Sequence, residues 1–173
     1  MPMSPYLQHL RERVGSLRLL LPSVTAIIYD TENRILLACH RDGAVWSTPG
    51  GFIEPDETPT DAVVRETWEE TGLRVRPVRL LGVLGGPACV VRYANGDESQ
   101  YVMTLFECVA DAETTPRPDG VETVAVRFVG PTECENLVVS PWARTALPQL
   151  YRRPPDAIFA PVTWRPADRS GMV

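Results

Sequence analysis

The stretch from Gly50 to Leu73, GGFIEPDETPTDAVVRETWEETGL, constrains this chain more than any other. It places Glu66, Glu69 and Glu70 within what reads as one turn of helix. At ~100° per residue, Glu69 lies about 60° to one side of Glu66 and Glu70 about 40° to the other. Three carboxylates then share one narrow arc, beside a helix end signalled by Gly72. Both features oppose local stability. Like charges at i,i+4 cost roughly 0.2–0.5 kcal/mol per pair, and the negative end of the helix dipole disfavours anions in the last turn. Holding a bound cation is the simplest reason for a sequence to break two helix rules at one place. Oxygen-only ligands suit a hard divalent ion, Mg²⁺ first and Mn²⁺ second.

From Gly51 the chain reads G-x5-E-x7-R-E-T-W-E-E-T-G-L. This resembles the Nudix hydrolase signature, G-x5-E-x7-R-E-U-x-E-E-x-G-U, in which U is aliphatic. Seven identities fall in register: Gly51, Glu57, Arg65, Glu66, Glu69, Glu70 and Gly72. At about 7% usage each, coincidence is on the order of one in 10⁸ per starting position. Leu73 fills the closing aliphatic slot. Thr67 departs from the pattern, and its hydroxyl needs a partner if it packs beneath the helix.

The resemblance is strong over Val24 to Leu73 and less diagnostic to Val129. It implies an α/β fold, a Nudix-type α/β/α sandwich with a mixed β-sheet, the signature forming a loop–helix–loop. It also implies hydrolysis of a nucleoside diphosphate linked to another moiety: a nucleotide sugar, an ADP-ribose-like compound or a modified nucleoside triphosphate. Glu66 and Glu70, one turn apart, are the foremost ligand candidates, with Glu69 close behind. By family likeness the Gly50 carbonyl adds a further ligand, and glycines at 50 and 51 let backbone approach ion and substrate without a Cβ. Arg65, beside the carboxylate arc, is expected to orient glutamates by ion pairing, with Glu57 as a partner. Glu66 or Glu69 could activate water, but similar proteins often recruit a carboxylate from elsewhere, and Glu98 and Glu122 are the candidates. Arg41 is placed as phosphate-binding arginines are in similar proteins. Trp46, Phe52, Tyr93 and Tyr101 could stack on a base. Two other readings remain: a Nudix-like nucleotide sensor, which usually lacks box glutamates, and a Nudix-fold isomerase, whose His and Cys are not evident here.

A chain of 173 residues reads as one domain able to bury a substantial core. The expected division is an N-terminal helical segment over 1–17, the main domain over 18–152 and a Pro-rich tail over 153–173. A net charge of −5 gives no reason to expect nucleic-acid binding. All 17 basic residues are Arg, so lysine chemistry is excluded. Cys39, Cys89, Cys108 and Cys134 form no C-x-x-C pair and read as structural, and His9 and His40 lack zinc-like partners. Met1 to Leu10 is polar and no apolar run reaches 18 residues, so a cytoplasmic protein with no membrane span is expected. A homodimer through the N-terminal helix is compatible with the sequence.

The local pattern predicts a helix over 5–14 and an antiparallel hairpin of Ser23–Tyr29 with Ile35–Cys39 around the DTEN turn. A second helix is predicted from Pro59 to about Thr71, with Thr58 as N-cap and Gly72 as terminator. Val64 and Trp68, opposite Glu66, with Thr67 on their flank, are its expected packed face. Asn95-Gly96 predicts a hairpin. Val121–Val129 reads as a strand, a last helix begins near Pro141, and the tail from Arg153 reads as irregular.

Overall fold

The computed structural model describes residues 4–41, 44–93 and 95–165. Parts of the expected terminal segments 1–17 and 153–173 lie outside that range. Two β-sheets share one layer, covered by α4 on one side and by α2 on the other. The larger contains β1 (Leu19–Ile28), β4 (Val75–Leu84), β5 (Val90–Arg92), β6 (Glu98–Ala110) and β8 (Ile158–Phe159), in the order β1-β6-β4-β8, with β5 pairing β6. β1 and β6 run parallel, whereas β4 and β5 run antiparallel to β6, so the sheet is mixed. The smaller contains β2 (Ile35–His40), β3 (Val45–Ser47) and β7 (Thr123–Val129), in the order β3-β2-β7. The helices are α1 (Pro5–Val14), α2 (Pro59–Thr71), α3 (Pro131–Cys134) and α4 (Pro141–Leu150).

The expected hairpin of β1 with β2 does not form. The two pair only at a single bridge, Tyr29 to Ile35, and β1 instead takes β6 as its neighbour. The Asp30 carboxylate accepts N–H bonds from Glu32 and Arg34, which makes the intervening turn carry the chain into the other sheet. The reason lies in burial. Every residue from Ser23 to Ile28 is buried, so β1 is covered on both faces although it ends the sheet order.

Alternation along these strands divides the core. Ile27, Ile35 and Leu37 point to one side and pack with Leu81, Leu105, Trp142, Leu147 and Leu150 under α4. Val24, Ala26, Ile28 and Leu36 point to the other and pack with Ala62, Val63, Leu73, Val75 and Cys108 under α2.

α2 begins and ends where its sequence says. Thr58 Oγ1 accepts a bond from the Asp61 N–H at 3.2 Å, and Gly72 takes φ 65° while its N–H donates to the Trp68 carbonyl at 2.8 Å. Its packed face differs from expectation. Ala62, Val63, Glu66, Thr67, Glu70 and Thr71 are buried, whereas Trp68 is 46% exposed with the Arg74 guanidinium over its ring. The loop over 48–53 covers the carboxylate side, which a helical wheel alone does not reveal. Thr67 is fully buried, and its hydroxyl donates to the Val63 carbonyl at 2.7 Å, which supplies the missing partner.

Elsewhere, Pro77 lies inside β4 at a break in its register with β6, and the Asn95-Gly96 turn joins β5 to β6. The tail is not wholly irregular, because β8 adds a short parallel strand to β4. Among the described residues no helix is long and apolar enough to cross a membrane.

Candidate functional site

The loop before α2 is clamped to β1. Val24 N–H donates to the Gly51 carbonyl at 2.9 Å and Ala26 N–H to the Pro49 carbonyl at 2.8 Å. Thr25 Oγ1 lies 2.5 Å from Thr48 Oγ1 and donates to the Pro49 carbonyl at 3.0 Å, which locks the loop from inside the core. Sequence reasoning missed this hydroxyl pair, and no local signal around either residue marks it. The glycines are sterically required. A Cβ on Gly50, whose φ is 152°, would sit 2.2 Å from the Val24 carbonyl oxygen, and one on Gly51 would sit 2.6 Å from the Glu66 carboxylate.

α2 delivers its glutamates to this loop. Glu66 is 8% and Glu70 5% exposed, and Glu70 Oε2 accepts the Gly50 N–H at 3.2 Å. Burial raises the Glu66 carboxyl above its usual range, only partly countered by the Arg65 guanidinium. Burial, reinforced by the neighbouring Glu66 charge, raises Glu70 well above its usual range. Two buried carboxylates side by side are costly unless a positive charge joins them.

Arg65 supplies some of that charge. Its Nε and Nη2 bond the two Glu57 oxygens at 2.8 and 2.9 Å. Its Nη1 bonds Glu66 at 2.8 Å and Glu69 at 3.0 Å, and Nη2 also donates to the Phe52 carbonyl at 3.0 Å. Glu57, so held by Arg65, has its carboxyl lowered. The guanidinium thus ties the loop to the helix.

The donor set, carboxylates and a glycine-rich backbone, fits a hard divalent cation. Among the described residues, however, no three acidic, His or Cys side chains converge as a finished cage. Arg65 holds one oxygen of Glu66 and one of Glu69, which leaves the second oxygen of each carboxylate for a cation.

The remaining candidates fall at varied places. Glu98 starts β6, where Arg18 binds it at 2.7 Å and Arg92 at 2.6 Å. Its carboxyl is lowered, first by the Arg18 hydrogen bond, which makes it a weak proton acceptor. Its neighbour Ser99 pairs with Leu19, whereas Gly51 bonds Val24, so Glu98 lies roughly 20 Å along β1 from Gly51. That separation removes Glu98 from the carboxylate group. Glu122 lies in the turn before β7, next to Thr123, whose hydroxyl is 2.8 Å from the Glu70 carbonyl oxygen. Arg41 directs its guanidinium at the Gly120 and Val121 carbonyls. Trp46 has the Arg127 guanidinium 4.8 Å over its ring, and the Phe52 ring stacks on Tyr6. The Tyr93 and Tyr101 hydroxyls bond each other at 2.6 Å.

A mixed-sheet sandwich whose glycine loop feeds a glutamate helix defines a class. The NUDIX domain family matches residues 19–150, and the chain belongs to that family. Its members generally use divalent cations and act on nucleoside diphosphate derivatives. A MutT-like protein of Streptomyces ambofaciens is 44% identical over 61 residues, 35% of this chain and 40% of that one. An RNA pyrophosphohydrolase of Psychrobacter cryohalolentis is 43% identical over 61 residues, 35% of each chain. The matched stretch thus spans well under half the length of these relatives. The crystal structure of a MutT protein from Methanosarcina mazei Go1 superposes with a TM-score of 0.63 at 20% identity, covering 81% of this chain and 99% of that one, a likeness of fold.

Proposed function

We propose that this chain is a Mg²⁺-dependent pyrophosphohydrolase that cleaves the phosphoanhydride of a nucleoside diphosphate linked to another moiety. The substrate classes are a nucleotide sugar, an ADP-ribose-like compound or a modified nucleoside triphosphate. One observation carries this reading: Glu66 and Glu70 are buried side by side against the Gly50–Gly51 backbone, with both carboxyls raised. Such a pair favours a dication over open water.

Glu66 and Glu70, with the Gly50 carbonyl and with Glu69 in support, would hold the ion. When bound, a divalent cation screens the pyrophosphate charge, polarises phosphorus and lowers the pKa of a water. Arg65 keeps the remaining carboxylates oriented and neutralises Glu57. Glu122, beside the residue bonded to Glu70, is the carboxylate that accepts the proton of the attacking water. Gly51 leaves room for the diphosphate, and Trp46 and Tyr101, both flanking the core under α4, contact the base.

The test is a panel of nucleotides incubated with Mg²⁺ or with chelator, the products identified by mass spectrometry. Metal-dependent release of a nucleoside monophosphate or phosphate from at least one class is expected, and Glu70→Gln should abolish it. No cleavage of any member, with tight nucleotide binding retained, would favour a sensor and sink the enzymatic reading.

A further inference from the structure

The C-terminal turn of a helix leaves carbonyls without internal donors. In α2 two of these belong to Glu70 and Thr71, at the end that carries the buried carboxylates. Both are satisfied from one remote segment. The Arg117 N–H donates to the Thr71 carbonyl at 2.9 Å, and the Thr123 hydroxyl lies 2.8 Å from the Glu70 carbonyl oxygen. Thr123 is fully buried and Glu70 5% exposed, so this contact is shielded from water, with the single hydroxyl proton shared between the Glu70 carbonyl and the Asp119 carboxylate.

The segment is itself fastened at two points. Inside, Asp119 Oδ1 collects the N–H groups of Val121, Glu122 and Thr123 at 3.1, 3.2 and 2.8 Å and touches the Thr123 hydroxyl at 2.8 Å. Outside, Arg41 at the end of β2 donates from Nε to the Val121 carbonyl at 2.9 Å and from Nη2 to the Gly120 carbonyl at 2.6 Å. Its own N–H reaches the Glu122 carbonyl at 2.8 Å. A continuous set of bonds therefore runs from Arg41 through the 119–123 turn to the backbone of Glu70. The guanidinium edge that would grip a phosphate is turned onto two carbonyls.

We propose that Arg41, Asp119 and Thr123 are positioning residues that fix the last turn of α2, and that Arg41 acts on cation capture through this turn and not on substrate phosphate. The inference rests on the reading that Glu66 and Glu70 hold the ion. It separates two roles of Arg41 that predict different measurements. A phosphate contact governs KM and leaves metal affinity in the nucleotide-free protein untouched. A positioning residue alters metal affinity before any nucleotide is present.

The experiment measures Mn²⁺ binding to the nucleotide-free full chain by electron paramagnetic resonance, for wild type, Arg41→Ala, Arg41→Lys, Thr123→Val and Thr123→Ser. KM and kcat are then read at saturating metal. Residues that orient metal ligands typically govern affinity by roughly ten- to hundredfold. Arg41→Ala and Thr123→Val should each weaken Mn²⁺ within that range, Thr123→Ser should return it to near the wild-type value, and KM should hold. Arg41 is exposed, so Arg41→Ala carries the test even if Thr123→Val fails to fold. Unchanged Mn²⁺ affinity in Arg41→Ala with a raised KM overturns this proposal and leaves the metal-site reading standing. A wild-type protein that takes up no Mn²⁺ overturns both.

Discussion

Adjacent glycines at 50 and 51 do different work, and substitution should separate them. A Cβ at Gly50 meets fixed backbone, the Val24 carbonyl and the Thr25 Cα, at a φ that L-residues avoid. Gly50→Ala should therefore cost about 1–3 kcal/mol of stability, read as a lowered urea midpoint. The nearest atoms to a Cβ at Gly51 are those of the Glu66 carboxylate, the far end of a flexible side chain. Gly51→Ala should keep most of its stability and lose cation affinity, because Glu66 must move. Equal losses of stability would refute that division. The raised Glu66 and Glu70 carboxyls give a pH dependence with a definite sign. In the cation-free protein their contribution to stability is present below the unfolded carboxyl pKa and lost as pH rises through the raised folded values. A bound dication removes that penalty, so the gain in Tm on adding Mg²⁺ should be larger at pH 8 than at pH 5. A gain independent of pH would mean that these two side chains do not take up the ion. Glu122→Gln should lose several orders of magnitude in turnover, whereas Glu98→Gln, already neutralised by Arg18 and Arg92, should lose little.

Local signals in the sequence were sufficient for elements whose ends are set by neighbouring residues. Thr58, Pro59 and Gly72 bound α2 because capping involves atoms only a few positions apart. The Asn95-Gly96 turn specified the β5–β6 pairing for the same reason. The partner of β1 was not legible, since Val24 pairs with Thr104 across eighty residues and nothing in either strand names the other. The buried face of α2 was misread on the wheel because loop 48–53, and not the helix, decides that Glu66 and Glu70 are covered. The box residues Arg65 and Glu57 were legible by spacing, whereas Thr123 and Asp119 were not, because the Thr123 contact to Glu70, and the Asp119 bonds that hold Thr123, depend on where β7 enters the second sheet. Arg65 joins loop to helix through planar, forked bonds to Glu57 and single bonds to Glu66, Glu69 and Phe52. Lys offers a point charge in place of the fork. Arg65→Lys should therefore lower Tm and disorder the loop despite conserving charge, which hydrogen exchange of residues 50–57 would register. Protection equal to wild type would show that charge alone suffices.

The segment after α4 closes the larger sheet. Arg79 donates to the Pro154 and Pro155 carbonyls, Arg153 lies over the Tyr29 ring and bonds Glu107, and Ile158 enters the core at 9% exposure. β8 approaches β4 so closely that a Cβ on Gly82 would sit 2.2 Å from the Ile158 carbonyl oxygen. Burial of one isoleucine contributes about 1.5–3 kcal/mol, and the strand also covers an edge of β4 that would otherwise present unpaired groups. Deleting residues 154–173 should lower unfolding stability by about 2 kcal/mol and increase association measured by light scattering. Gly82→Ala should move both in the same direction, because it pushes β8 off. Neither change touches the loop and helix that carry Glu66 and Glu70, which are held by β1 and the 117–123 turn at the other side of the molecule's core. Mn²⁺ affinity of the folded protein should therefore remain at the wild-type value in both variants. A truncated chain that keeps its stability would show that β8 rests on the sheet without supporting it, and one that loses Mn²⁺ affinity while still folded would tie the tail to the site.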